Sequence, residues 1–244
     1  MVRYINNINL FETMKSFWYQ TNNFGDMLTP VIVEYYLGKK PEWVEKEYSG
    51  KLLAVGSTLS FIMENDVIWG TGLNEAKKIV APSGAKFLAV RGPITRSYIE
   101  PQEAVPEVYG DPAILLPLIY NPKIDIKYEV GFVPHYVDKK FVTIKEGEKI
   151  IDIEADWKTV IEDILSCKKI VSSSLHGIIC AEAYGIPAVW ATYSDWIIGG
   201  EMKYQDYFLG SGREKQKPFQ DIPAITNLAE KQNILIEVLK DYYV

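Results

Sequence analysis

The residues best suited to chemistry gather in the segment SSSLHG, where Ser172, Ser173 and Ser174 precede His176, one of only two histidines in the chain. One apolar run ends at Val171 and another starts after Gly177, so the serines and the histidine fall at the junction of a strand and a helix. A serine there can cap the helix, and the first N–H groups of a helix, which lack partners within it, form an anion site. A histidine on the first turn adds a group that takes and gives a proton at neutral pH. The competing reading is a plain cap beside a histidine that packs locally. His135, in GFVPHYVD, also follows a strand-like run and is a second candidate for the same site.

Two further constellations fall at similar junctions. NNFGD places Asn23, Gly25 and Asp26 between a first strand and its helix, where glycine admits close approach of a ligand and Asp26 can cap or act as a base. In AVRGPITR, Arg91 ends a strand and Arg96 lies a turn into the next helix. An arginine at a strand end can grip a carboxylate or phosphate bidentately. Lys203 and Arg213 are additional cations for such an anion. Glu182, followed by Gly185-Ile186-Pro187, has the spacing of an ExxGxP pattern that holds a nucleotide ribose. WGTGLNEA lacks the third glycine of a dinucleotide fingerprint, and no P-loop or GxSxG is present. The acidic run Asp152, Glu154, Asp156 reads as a strand end and a helix cap rather than a metal site, and no metal is expected.

These residues need a scaffold of strands and helices to bring them together. Strands are expected at 15–20, 51–57, 66–72 and 86–92, with helices at 27–38 and after Pro93. A second round begins after the polar connector NPKIDIKYE. It has strands at 129–136, 139–144, 149–153, 168–173 and 187–193, helices at 157–166 and 175–185, and a final amphipathic helix over 226–243. Near-continuous apolar strands separated by helices imply parallel sheets covered on both faces. The chain therefore reads as α/β: two Rossmann-like domains, residues 1–120 and 121–244, facing each other across a cleft beyond the carboxyl ends of their strands. The segment 194–213, with four glycines interleaved with Trp196, Tyr204 and Tyr207, is expected to be a mobile loop whose aromatics stack on sugar.

Composition narrows the function. With 244 residues, 48% of them hydrophobic, the chain can bury a large core. A net charge of -6 argues against nucleic acid as a partner, and two cysteines are too few for a disulfide framework. The N-terminus lacks the apolar core of a signal peptide and no apolar run reaches 18 residues, so a cytoplasmic location is expected, with peripheral association at the inner membrane face left open.

Taken in order, NFGDMLTP, AVGSTLSFI, IWGTGL, LAVRGPITR, VYGDPAILLP, VGFVPHYVD and IVSSSLHGIICAEAYGIPAVW resemble the polysaccharide pyruvyl transferase family over roughly residues 15–210. The resemblance implies a fold similar to GT-B glycosyltransferases. It also implies transfer of a pyruvyl group from phosphoenolpyruvate to two hydroxyls of a sugar or lipid-linked oligosaccharide, giving a cyclic ketal, with no cofactor and no required metal. By the same resemblance Arg91 and His176 match the family's phosphoenolpyruvate contacts. The residues fit this independently: the donor carries a carboxylate and a phosphate, which need cations and N–H donors, and ketal formation moves protons, which suits His176 with Asp26 as partner. The residues expected in the site are thus His176 and Asp26 for catalysis, and Arg91, Ser172, Ser173, Ser174, Asn23, Gly25, Lys203 and Glu182 for binding. The alternatives are a GT-B glycosyltransferase using a nucleotide sugar and a non-catalytic sugar-binding member of an assembly complex.

Overall fold

The computed structural model describes residues 13–244; residues 1–12 of the N-terminal extension lie outside the described residues. In chain order the strands and α-helices are β1 (Lys15–Ser16), α1 (Leu28–Leu37), β2 (Glu42–Trp43), β3 (Leu52–Leu53), β4 (Val67–Trp69), β5 (Ile79–Val80), β6 (Lys86–Ala89), α2 (Pro93–Ser97), β7 (Ile99–Glu100), α3 (Leu116–Ile119), β8 (Tyr128–Val133), β9 (Glu148–Ile150), α4 (Trp157–Leu165), β10 (Cys167–Ser172), α5 (Leu175–Ala183), β11 (Ala188–Trp190), α6 (Met202–Gly210) and α7 (Leu228–Tyr243).

The strands form a five-stranded sheet in the order β2-β1-β3-β4-β6, a four-stranded sheet in the order β11-β10-β8-β9, and a β5-β7 pair. Neighbouring strands are parallel throughout. This is a mixed α/β, Rossmann-like fold. Each larger sheet reverses its winding direction once: between β1 and β3 in the first, and between β8 and β10 in the second. At such a reversal the loops leaving the two strand ends diverge and open a crevice.

The capping residues account for the helix limits. Asp156 accepts the Lys158 N–H at 3.0 Å and starts α4. Gly38 ends α1 at φ 67°, a left-handed conformation that favours glycine. Asp26 does not cap α1; the helix starts one residue later than that role requires, with Met27 at the N-cap. One buried cluster runs from Leu52, Trp69 and Ala89 of the first sheet through Ala113, Leu116 and Ile178 to Val133, Ile170 and Trp190 of the second, so both sheets pack against shared residues.

Residues 139–144 and 194–213 differ from the sequence reading. Residues 139–144 are not a strand: Lys139–Phe141 form a 3-10 turn after the Asp138 N–H bonds His135 O at 2.7 Å, and most of these side chains stay exposed. The segment 194–213 is not one loop. Its second half is α6, which buries Tyr204, Tyr207 and Phe208, and Trp190 stacks on Tyr204 at 4.9 Å between centroids. The final helix α7 returns to the first sheet, where Trp69 Nε1–H donates to Leu235 O at 2.9 Å and Gln232 Nε2–H to Ile114 O at 2.7 Å. No helix among the described residues is long and apolar enough to cross a membrane.

Candidate active site

The loops leaving both sheet reversals meet at one cavity of about 450 Å³. The segment after β1 brings Tyr19, Asn23 and Asp26, and the turn after β3 brings Ser57. From the second sheet come His135 after β8, and Ser174 and His176 after β10; α6 adds Lys203.

His176 sits in a built seat. Its imidazole lies against Gly25 so closely that a Cβ there would stand 2.1 Å from Nδ1, and Phe24 meets the ring edge-on at 6.4 Å between centroids. Nε2 is sealed from solvent with no hydrogen-bond partner and faces Asp111 Oδ2 at 3.6 Å. Asp111 is itself fully buried. Its Oδ1 accepts the Ala113 N–H at 3.0 Å and its Oδ2 accepts the Gly56 N–H at 3.2 Å, so the carboxylate cannot swing away. A carboxylate fixed near one ring nitrogen orients the imidazole, and His176 itself lines the cavity.

Around the histidine the cavity is polar on one side. No side chain caps α5, and its start at Ser174 and Leu175 lines the cavity, a place that suits an anion. Lys203 has its pKa lowered to about 8, first by burial and then by Arg91, against the opposite pull of Asp26 and Asp138. Burial raises the Asp26 pKa, while His176, the Thr21 hydroxyl and Lys203 pull it back; Thr21 Oγ1 donates to Asp26 Oδ2 at 2.9 Å. His135 is depressed to about 4, chiefly by burial and then by Lys203, so it stands neutral at pH 7. Among the described residues no group of three or more His, Cys, Asp and Glu could hold a metal ion.

The structure brings together only part of the set expected from sequence. His176, Asp26, Asn23, Ser174 and Lys203 stand on the cavity wall, and Gly25 lies under the imidazole. Ser172 does not face the cavity: fully buried, its Oγ ties Val133 O and the Ser174 backbone together at 2.8–3.0 Å. Ser173 is also buried, its Oγ accepting the His135 N–H at 3.0 Å and its carbonyl the Tyr204 hydroxyl at 2.6 Å. Arg91 stands behind the wall at 0% exposure. Nε donates to Asp206 Oδ2 at 3.0 Å, NH1 to Ser57 Oγ at 2.7 Å, and NH2 to Leu73 O. It therefore holds Ser57, which does line the cavity, and charges the region without forming its surface. Glu182 lies elsewhere, its carboxylate paired with Arg213 and accepting the Tyr207 hydroxyl at 2.7 Å. With both oxygens engaged, Glu182 offers no free acceptor to a ribose. Trp196, 58% exposed, lies at the rim. Asp111 and Ser57 are additions to the set expected from sequence, although both follow strand-like runs in VYGDP and AVGS, the same signal that Arg91 carries.

Comparison with known proteins agrees with this arrangement of motifs. The polysaccharide pyruvyl transferase family matches residues 23–195, from the NFGD turn to the loop after β11. An uncharacterized protein of Acanthamoeba polyphaga mimivirus is 33% identical over 210 residues, which cover 80% of this chain and 73% of that protein. No solved structure matches. The match includes the Gly25 seat, the Asp111 turn and the SSSLHG junction that together hold the imidazole, and on this extent the chain belongs to the polysaccharide pyruvyl transferase family, which indicates a pyruvyl transferase of polysaccharide biosynthesis.

Proposed function

We propose that the chain transfers the pyruvyl group of phosphoenolpyruvate to two hydroxyls of one sugar, forming a cyclic ketal. The observation that carries the reading is the fixed Asp111–His176 pair beside the uncapped start of α5, with Asp26 and Lys203 on the same cavity. The donor's phosphate and carboxylate suit the α5 N–H groups, Ser174, Ser57 and Lys203. In the reaction the methylene carbon gains a proton and the carbon bearing the phosphate ester forms two new C–O bonds. Its bond to the phosphate oxygen breaks. Of the two hydroxyl protons lost by the sugar, one is matched by the new methyl hydrogen and the other leaves on phosphate. His176, oriented by Asp111, handles a proton at the donor carbon. Asp26, with its pKa raised by burial, is placed to receive one from an attacking hydroxyl.

On this reading the two sheets are the centres of two Rossmann-like units, divided near residue 120 and arranged as in GT-B enzymes, with α7 crossing back onto the first. The enzyme works in the cytoplasm on a free or lipid-linked glycan and uses no cofactor. Phosphate release from phosphoenolpyruvate should appear only with an acceptor, in a panel of galactosides, glucosides and N-acetylmannosamine-containing glycans. A thermal shift with UDP- or GDP-sugars, together with no phosphate release across that panel, would overturn the proposal in favour of a glycosyltransferase.

A further inference from the structure

His135 lines the cavity, yet the steps of pyruvyl transfer assigned above do not use it. Its place is fixed from both sides of its own backbone. Just past β8, its N–H donates to Ser173 Oγ at 3.0 Å and its carbonyl accepts the Asp138 N–H at 2.7 Å. Within the turn that this second bond closes, the Val137 N–H reaches back to His135 Nδ1 at 3.5 Å, and Tyr136 lies against the ring at 4.3 Å between centroids. A ring nitrogen that accepts an N–H presents its lone pair there, so the proton of the neutral ring sits on Nε2. Nε2 has no partner among the described residues and, unlike Nε2 of His176, is not sealed from solvent. The surrounding charges also differ. His176 has the Asp111 carboxylate at 3.6 Å, whereas His135 has no carboxylate within ion-pair distance among the described residues. The charged groups that act on His135 are Lys203 of α6, which opposes its protonation, and Asp138 of its own turn, which favours it; burial and Lys203 prevail.

We propose that His135 is a binding residue for the donor substrate, its Nε2–H donating to an anionic oxygen alongside Lys203. The inference rests on the pyruvyl-transfer reading for the identity of that donor; the hydrogen bond itself needs only an anion. A neutral N–H aims a bond at the anion without setting a second cation against the Lys203 ammonium. It also leaves the proton transfers to His176 and Asp26. With Nδ1 engaged by the backbone and its proton on Nε2, the His135 ring neither gains nor loses a proton as the donor binds. The chain's two histidines then act differently on one cavity: His176 carries a proton, and His135 only directs one.

The test is calorimetric titration of the full chain with phosphoenolpyruvate, UDP-glucose and GDP-mannose, run on wild type, His135→Gln and His135→Asn with Tm recorded for each. A glutamine amide nitrogen overlies the imidazole Nε2 position, and an asparagine amide nitrogen overlies Nδ1. His135→Gln should therefore bind phosphoenolpyruvate within about 2-fold of wild type, and His135→Asn about 5- to 10-fold more weakly, at unchanged Tm. Imidazole nitrogen NMR of the wild type, with the His135 signals assigned by their loss in His135→Gln, decides the matter where His135→Asn lowers Tm. The His135 ring should be neutral and protonated on Nε2 at pH 7, and phosphoenolpyruvate should shift its Nε2–H signal. The proposal is overturned by wild-type affinity in His135→Asn, by an equal loss in both variants, by a His135 ring that is cationic or protonated on Nδ1, or by no binding of any of the three ligands. Phosphate release from phosphoenolpyruvate is measured separately. If phosphoenolpyruvate fails to bind but a nucleotide sugar shows the same contrast between the variants, pyruvyl transfer falls and the His135 contact stands. Phosphate release without that contrast does the reverse.

Discussion

Gly25→Ala is the sharpest test of the histidine's role, because the geometry predicts what the added methyl must displace. A Cβ at Gly25 would stand 2.1 Å from Nδ1, 2.4 Å from Cγ and 2.7 Å from Cβ of His176. Non-bonded heavy atoms settle at about 3.5 Å or more, so the loop and the imidazole have to separate by about 1–1.5 Å. Gly25 itself has no positive φ that would penalise alanine, so the effect is one of contact rather than backbone strain. A catalytic group moved by about 1 Å costs on the order of 10²-fold in rate, and overpacking costs about 1–3 kcal/mol of stability. The assay is steady-state phosphate release from phosphoenolpyruvate with an acceptor, alongside Tm. The single variant should lose kcat on that scale and several degrees of Tm. Added to His176→Ala, the same substitution should cost no further kcat, because the group it displaces is already gone. It should also lower Tm less there, since two of the three close contacts leave with the ring. A Gly25→Ala enzyme with wild-type kcat would refute the claim that the imidazole works from a fixed seat.

Asp111→Asn should lower kcat by about 10²–10⁴-fold with a smaller change in donor KM, since it removes the charge behind Nε2; equal kcat in the variant would remove Asp111 from the mechanism. Lys203 bears on the donor through its charge, so donor KM should rise as pH passes about 8, where the folded-state ammonium is lost. In Lys203→Arg that rise should move well above pH 8, and an unchanged profile would count against the assignment. Arg91→Ala leaves the buried Asp206 carboxylate without its cation, although Thr95 still donates to it at 2.6 and 2.9 Å. The expected cost is about 3–5 kcal/mol, read as a large fall in Tm, and a variant of native Tm with a raised donor KM would instead make Arg91 a direct ligand.

The sequence was most legible where local chemistry decides the structure. Pro93 opens α2, Asp156 caps α4 and Gly38 ends α1, each acting within a turn of its own position. The junctions at NNFGD, GFVPHYVD and SSSLHG were legible for a related reason: an apolar parallel strand must end at its carboxyl end, and that end faces the crevice. What failed was length and direction. Residues 15–20 look like a full strand, but only Lys15–Ser16 belong to β1, and Tyr19 beyond them stands on the cavity wall. Residues 202–210 carry aromatics that could stack on sugar in a loop, yet they form a helix whose Tyr204 and Tyr207 are buried. Glycines on either side of a helical segment do not reveal that the segment between them is packed.

The harder part to read was which strand-end side chain faces the ligand and which faces the protein. Arg91 and Asp111 occupy equivalent places, each just past a strand-like run, and a cation there suggests an anionic ligand. The outcome was set by residues far away in sequence. Asp206, 115 positions later, meets the Arg91 guanidinium and draws it behind Ser57. His176 lies over Asp111 and turns a turn-forming aspartate into a proton-orienting one. Glu182 follows the same logic, its ribose-like spacing cancelled by Arg213, 31 positions on. A charged residue at a strand end is a ligand candidate only as long as no opposite charge from a distant element reaches it first. In this chain that distant element is α6 for Arg91 and the segment after it for Glu182. The same helix carries Lys203, which has no carboxylate within ion-pair distance among the described residues and stands on the cavity wall. Of the cations proposed for the donor, Arg91 and Arg213 are neutralised by buried carboxylates, and Lys203 is the one whose charge is left for an incoming anion.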